Sequence, residues 1–470
     1  MDRSNRCLIT AAVAGVVLVG AGAARAAEPS VEELKAQLQE LNKKVAALET
    51  KQAVNSADVQ ATIDAVLRDA EQRTKLLADT GEFSAGYDTT FFIRAGDAFL
   101  LRPQINFQFR NVTDFRKNAG GGTDDRIENG FEVRRLQFIL EGNLFSKDIT
   151  YAFVWNTNRE TSTQSVKDPT GATIGTVDVK SGGNLFLEDA WVRDMFAEQW
   201  GVRIGQFKDP VTHEKLVSDK RLVAVERSML DATLGGGYEE RVQGVTGIFG
   251  GYRANQPLYV EVGITDGINS LNTDFTKHTF DFGVAGRVEY KFMGEWKDYN
   301  DLTAKGTKAD LLVIGGGFDV SQSGDGNSIV GAIDGQWENT TGLGVYGAAI
   351  VRQLDKQLTG TADDQTDWGA LVQVSYLLTP AWEIFGRYDV VKFDTARVFG
   401  TTTEDTFHEI TGGVTYYMGD NGSAGHRMKI TVDLNWLPNG APAALKGLGY
   451  IGDSGGDDEF ALRAQFQFLL

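Results

Sequence analysis

Few side chains in this chain of 470 residues have the chemistry and spacing that catalysis requires. The four histidines are scattered along the chain: His213, His278, His408 and His426. They form no HExxH zinc motif, and neither Ser228 nor Ser375 lies in a G-x-S-x-G turn. The only cysteine is Cys7. The sequence therefore predicts no enzyme, no metal site and no cofactor.

The remaining chemistry is that of basic side chains, since a guanidinium group can bind an oxyanion through two parallel hydrogen bonds. Alternation of polar and apolar residues predicts that five arginines share the polar face of a wall: Arg135, Arg203, Arg287, Arg387 and Arg463. Carboxylates such as Glu141, Glu289 and Asp433 are predicted on the same face. Each arginine could therefore face a solute or pair with a carboxylate across the wall, and the sequence leaves both open.

The elements that must position these residues are strands of about ten residues. In 280–292 and 428–436, apolar residues alternate with polar ones, and Phe282, Val284, Val432 and Leu434 belong to the apolar column. The C-terminal segment 460–470 has the same pattern and runs to the last residue. Aromatic residues near the ends of the apolar column, with charges opposite, are typical of a membrane-spanning wall around a wet lumen. The sequence predicts an all-β transmembrane barrel of about 16 antiparallel strands.

Composition and connections agree with that fold. The chain has 55 glycines and only 8 prolines, which suits strands joined by tight turns. The net charge of −18 argues against a nucleic-acid partner. The short connection in "YLLTPAW" predicts a periplasmic turn, whereas the long polar segments 158–183 and 294–308 predict extracellular loops.

The N-terminal region has a different pattern. Residues 1–26 resemble a secretory signal peptide, with Arg3 and Arg6 before an apolar run and Ala24-Arg25-Ala26 at its end. Residues 27–77 are predicted to form a periplasmic helical segment with the seam of a coiled coil, leaving 78–470 for the barrel. A lone helix packed on the barrel is the alternative. A coiled coil favours self-association, and a homotrimer with a cell-envelope partner for this segment is the prediction.

Three motifs in the segment 131–230 distinguish it from the rest of the predicted strands. A paired-arginine strand, "FEVRRLQFILEGNLF", is followed by the acidic-aromatic "LEDAWVRD" and by "GQFKDP", which leads into a segment closing with "ERS". This arrangement resembles the phosphate-selective porin O and P family. The resemblance implies a trimeric sixteen-stranded barrel in which Gly205 to Lys208 end a strand and Asp209 to Leu230 fold into the pore. The basic candidates for the constriction are then Lys208, Lys215, Lys220, Arg221 and Arg227, which outnumber the four acids of the segment by one.

The resemblance implies an outer-membrane porin of a Gram-negative-type cell. Such a protein forms a water-filled channel, surrounded by outer-membrane lipid, for passive diffusion of small hydrophilic solutes, here expected to be anions such as phosphate. The mixed charge of the predicted lumen leaves a general or cation-preferring diffusion porin open. A structural outer-membrane protein that tethers the envelope through its coiled coil is the other alternative.

Overall fold

The computed structural model of the chain describes most of the region after residue 82. Side chains are described for 83–157, 183–235, 241–251, 256–268, 270, 272, 274–396 and 403–470, and the backbone alone for 161–167, 173–180, 397–399 and 402. In the N-terminal region it describes residues 32, 35–36, 38–44 and 46, all helical. The predicted signal peptide, and the rest of the predicted coiled coil, lie outside the described residues. The chain divides into two units, 1–80 and 81–470.

The second unit, as far as the structure describes it, is built mainly of strands. Their bounds are β1 Phe83–Tyr87, β2 Phe91–Ala95, β3 Phe99–Arg116, β4 Arg126–Leu144, β5 Ile149–Thr157, β6 Thr161–Lys167, β7 Thr173–Lys180, β8 Leu185–Asp194, β9 Trp200–Lys208, β10 Arg241–Gly250, β11 Leu258–Thr265, β12 Phe282–Met293, β13 Leu311–Ser323, β14 Gly326–Glu338, β15 Leu343–Leu354, β16 Gln365–Thr379, β17 Trp382–Phe399, β18 Thr402–Tyr417, β19 Met428–Leu437 and β20 Glu459–Leu469. Three short α-helices lie between them: α1 His213–Leu216, α2 Met229–Leu234 and α3 Lys356–Thr359. No helix of the described residues has the length and apolar character needed to cross a membrane.

Sixteen of these strands close into one antiparallel barrel. The main sheet has eighteen strands, of which β1 and β2 form a hairpin that extends the start of β3. In the other sixteen, each strand pairs with the next barrel strand along the chain. β5 therefore pairs with β8, because β6 and β7 form a separate two-stranded sheet. The last strand pairs with the first barrel strand, and Phe468 lies opposite Phe107. The backbone hydrogen bonds of the alternating C-terminal segment are thus satisfied by β3, so this segment leaves no free sheet edge.

The predicted alternation gives the two faces of the wall. Phe282 and Leu434 are exposed on the outer face, and Val284 and Val432 share it. Arg287 and Asp433, which lie on the opposite faces of the same strands, are turned inward and are almost completely buried. A barrel wall with an apolar outer face and a charged inner face is what membrane insertion around a wet lumen requires.

Antiparallel order places alternate connections at opposite ends of the barrel. One end, here called the turn rim, carries the start of β3, the end of β20 and the connections 145–148, 195–199, 251–257, 294–310, 339–342, 380–381 and 418–427. The other end, the loop rim, carries the remaining connections, including 158–184 and 209–240. The prediction that 294–308 lies with 158–183 was wrong, because it follows a strand that runs toward the same rim as the short turn 380–381.

Among the register shifts of the barrel, β-bulges in β4 and β8 interrupt the alternation of residues near the predicted motifs. In β4, Gln108 of β3 pairs with Arg135 and Phe109 pairs with Val133, so that Arg134 has no partner on the opposite strand. In β8, Glu188 is the extra residue. A bulge of this kind turns two consecutive side chains toward the same face. Arg134 and Arg135 of "VRRL" therefore both point into the lumen, and so do Glu188 and Asp189 of "LED".

Candidate functional site

A long connection from the loop rim folds into the barrel. This inward loop, described over 209–235, follows β9 at Pro210, which has no backbone N–H to continue a ladder. Its two helices are capped by side chains: Thr212 accepts a hydrogen bond from the backbone N–H of Lys215, and Ser228 accepts one from that of Asp231. Apolar residues of α2 pack in a buried cluster with inner-wall residues of β14 to β20. The inward loop predicted from the resemblance is present.

Glu226 is the centre of the polar contacts of this loop. Its carboxylate accepts from Arg134 Nε at 2.6 Å, from Arg110 Nη1 at 2.8 Å and from Arg135 Nη2 at 2.8 Å. Glu226 is completely buried, and burial alone would raise its pKa. The three arginine charges outweigh that effect and hold the pKa of Glu226 well below its ordinary value. The carboxylate is therefore ionised and clamps the loop to β3 and β4.

Three of the five basic candidates in this region hold the loop together. Lys208 Nζ donates to the carbonyl of Val217 at 3.0 Å, and Lys215 Nζ lies 3.0 Å from the carboxylate of Asp231. Arg227 pairs with Asp219 and donates to the carbonyl of Val217 at 2.7 Å. These cations already have partners, so they are poorly placed to select a passing ion.

Lys220 and Arg221 have a different environment. They end a 3₁₀ turn, Asp219–Arg221, and their side chains line a cavity of about 830 Å³. Lys220 Nζ donates to Gln104 Oε1 at 3.0 Å, and this is a neutral partner. Arg221 is exposed, and its side chain makes no hydrogen bond or ion pair within the described part of the chain. They are the two candidate cations of the loop that a solute in the cavity could reach.

The five predicted wall arginines do lie inside the barrel, and each has a carboxylate partner. Arg287 lies 2.6 Å from both Glu289 and Asp334, and Arg387 lies 2.6 Å from Glu409. The remaining pairs are Arg463 with Asp433, Arg203 with Glu261, and Arg135 with Glu226. For these arginines, pairing within the wall and loop is the arrangement that the structure has.

A second segment enters the lumen from the turn rim. The connection 294–310 buries Trp296, Tyr299 and Leu302, and the Tyr299 ring stacks on His213 of the inward loop with ring centres 3.7 Å apart. Burial lowers the pKa of His213 to about 3, so its imidazole is neutral. The spacing of three residues between these apolar side chains was the sequence signal for a buried turn. The polar residues around them led to the prediction of an exposed loop.

The cavity between these segments has mixed but unequal charge. Four of its cations have no carboxylate partner among the residues described: Lys208, Lys220, Arg221 and Arg427. Two carboxylates that line it have no lysine or arginine partner there, Glu141 and Asp301. Glu141 accepts from Gln104 Nε2 at 2.5 Å, and Asp301 lies 3.8 Å from His426. The balance leaves the cavity with an excess of positive charge. Sequence reasoning missed Arg427 and Asp301, because both come from connections at the turn rim.

Comparisons with known proteins agree with this architecture. The family model for phosphate-selective porins O and P matches residues 105–295. An anion-selective porin from Comamonas acidovorans superposes with a TM-score of 0.51 at 11% identity, covering 79% of this chain and 99% of that chain. OmpF of Salmonella typhi, in a complex with daunomycin, gives 0.48 at 14% identity with coverage of 82% and 100%. OprB of Pseudomonas putida gives 0.47 at 10% identity with coverage of 78% and 94%. Comparison with curated protein sequences gave no match.

The match and the fold together confirm the predicted resemblance to a porin. At these identities the solved structures show the fold alone, and the family model adds the segment that carries the site. The chain therefore has the fold of an outer-membrane porin, and its residues 105–295, which include both bulges and the inward loop, match the phosphate-selective porin O and P family.

Proposed function

We propose that this chain forms a water-filled channel in the outer membrane for passive diffusion of small hydrophilic solutes, with a preference for anions such as phosphate. The observation that carries the proposal is the pair Lys220 and Arg221, which present positive charge to the cavity without a carboxylate partner. The anion selectivity named for the Comamonas porin is in line with it. The proposal assigns no catalytic step to any residue.

The position of the two cations makes them effective. They lie at the tip of a loop that narrows the lumen, where less water and salt separate a passing ion from a fixed charge. A charge at such a place changes the energy of a permeating ion more than a charge at the rim. The clamp of Glu226 on three arginines keeps the loop in position. Selectivity thus depends on two residues, and their placement depends on many more.

Reversal potentials in planar lipid bilayers test the proposal. In a potassium chloride gradient, the double variant Lys220→Glu and Arg221→Glu should lower the ratio of anion to cation permeability by about ten-fold, equivalent to about 1.4 kcal/mol. The matched control is Lys277→Glu with Lys356→Glu, the same charge change at exposed positions of the loop rim. Charge changes in the segment 294–308 would not be a neutral control, because this segment lies inside the lumen.

The two alternatives correspond to defined outcomes. A channel without anion preference, unaffected by the double variant, would be a general or cation-preferring porin. A protein that inserts but does not conduct would support the structural tether.

For the N-terminal segment we propose a coiled coil, and for the oligomer a homotrimer. In support, residues 38–44 are helical and the seam residues Leu38 and Leu41 are about two-thirds exposed in the single chain.

A further inference from the structure

One side of the cavity that Lys220 and Arg221 line is apolar, although it belongs to the inner wall of the barrel. Ile139 of β4, Ala152 and Val154 of β5 and Trp191 of β8 all line the cavity. They form a continuous patch, because Ile139 pairs with Val154 across the strands and Ala152 pairs with Trp191. An inner wall in contact with water normally carries polar residues. Ile139, Ala152 and Val154 are each less than a tenth exposed, whereas Trp191 is half-buried and presents apolar surface to the cavity.

This patch is separate from the apolar cluster in which the inward loop packs. The buried cluster around α2 contains inner-wall residues of β14 to β20, and none of the four patch residues belongs to it. Beside the patch, the Arg203 guanidinium lies over the Phe207 ring at 3.9 Å, and Arg193 lies over Trp191 at 5.8 Å. These guanidinium groups stack on aromatic rings at the border of the patch.

The cavity thus combines two kinds of recognition. Lys220 and Arg221 supply positive charge from the loop, and the patch supplies an apolar surface from the wall. A volume of about 830 Å³ is in the range of sites that hold organic ligands. Inorganic phosphate or chloride would use the cations and gain nothing from Ile139 or Trp191. An organic acid would use both.

We propose that the cavity selects organic anions with an apolar body, such as aromatic or branched aliphatic carboxylates, over inorganic anions. The carboxylate lies toward Lys220 and Arg221, and the apolar body lies against Trp191. This inference rests on the proposed anion channel and specifies its substrate class.

Competition for the current of the full-length protein in a bilayer tests the inference. Benzoate, acetate and inorganic phosphate are added to a chloride current, and the concentration that halves the current is measured for each. Benzoate should act at a concentration about ten-fold lower than acetate, equivalent to about 1.4 kcal/mol. Trp191→Ala should remove this advantage and leave the acetate and phosphate values unchanged.

The matched control is Trp155→Ala, which removes the same residue type from the outer face of the neighbouring strand, where Trp155 packs on Phe153. Equal potency of benzoate and acetate in the unaltered protein would overturn the inference without any variant. Identical behaviour of Trp191→Ala and Trp155→Ala would also overturn it. If Trp191→Ala does not fold, Val154→Ser takes its place. Loss of the proposed function is distinguishable, because it shows in the chloride reversal potential of the Lys220 and Arg221 variant and not in the comparison of benzoate with acetate.

Discussion

Replacing Glu226 by glutamine should release the inward loop while leaving the barrel closed. Glutamine keeps the shape of the side chain and removes the charge that three arginines share. Breaking a buried ion pair from one side costs about 3–5 kcal/mol, because the remaining charges stay buried. Arg110 also pairs with Glu132 and Arg135 with Asp219, so the lower end of that range, about 3 kcal/mol, is the expected cost.

Hydrogen exchange of the backbone amides is the direct measurement. A loss of about 3 kcal/mol in local stability should speed exchange in 209–235 by about 100-fold, while amides in the wall strands stay protected. Because the pKa of Glu226 is held below its ordinary value, the clamp contributes stability above that value and loses it as the pH falls through the lowered pKa. The exchange difference should therefore be fully present at neutral pH.

The control is Glu128→Gln in β4. Glu128 also lies near an arginine, at 3.6 Å from Arg116, but its side chain is 63% exposed. An exposed pair of this kind contributes about 0–1 kcal/mol, so the loop should exchange as in the unaltered protein. Equal exchange of the loop in the two variants would refute the clamp, and accelerated exchange throughout the wall in Glu226→Gln would show that the loop is part of the barrel core.

Three further predictions address the lumen, the wall and the N-terminal segment. Burial is the main cause that raises the pKa of Asp301 to about 7. The charges of Glu383 and Asp298 also raise this pKa, and the charge of Arg221 lowers it. The Asp301 carboxyl is therefore mostly neutral below about pH 7 and mostly charged above it. Anion preference should weaken as the pH rises from about 6 to about 8, and a reversal potential that is equally pH-dependent in Asp301→Asn would exclude this carboxyl as the cause. Val432→Arg should lower the stability of the folded barrel in lipid by about 2–4 kcal/mol if it lies near the midplane, whereas an unchanged urea midpoint would contradict its outward placement. Changing the seam residues Leu34, Leu38 and Leu41 to Asp should abolish self-association of a peptide of residues 28–77 in analytical ultracentrifugation without preventing barrel assembly; loss of barrel folding would mean that the segment belongs to the core.

The sequence by itself determined the wall of the barrel. Side chains of a strand alternate between two faces, so the outward position of Phe282 and the inward position of Arg287 follow from their order alone. The place of the inward loop came from the resemblance, through motifs that are local in sequence. The bulges at Arg134 and Glu188 could not be derived from alternation, because an extra residue in one strand is defined only by the strand that it pairs with.

Tertiary structure decided which charges remain available to a solute. Arg287 pairs with Asp334, which lies 47 residues away, and Arg135 pairs with Glu226, 91 residues away, and no local pattern predicts such partners. Lys215 and Lys220 are the same residue type five positions apart in the loop, yet one is paired with Asp231 and the other lines the cavity. The entry of 294–310 into the lumen depended on the direction of β12, which is known only once every strand is counted. The sequence thus specifies the facing of side chains in the regular parts of the strands. The pairing of charges across the lumen exists only in the closed barrel, because closure brings distant strands and loops into contact.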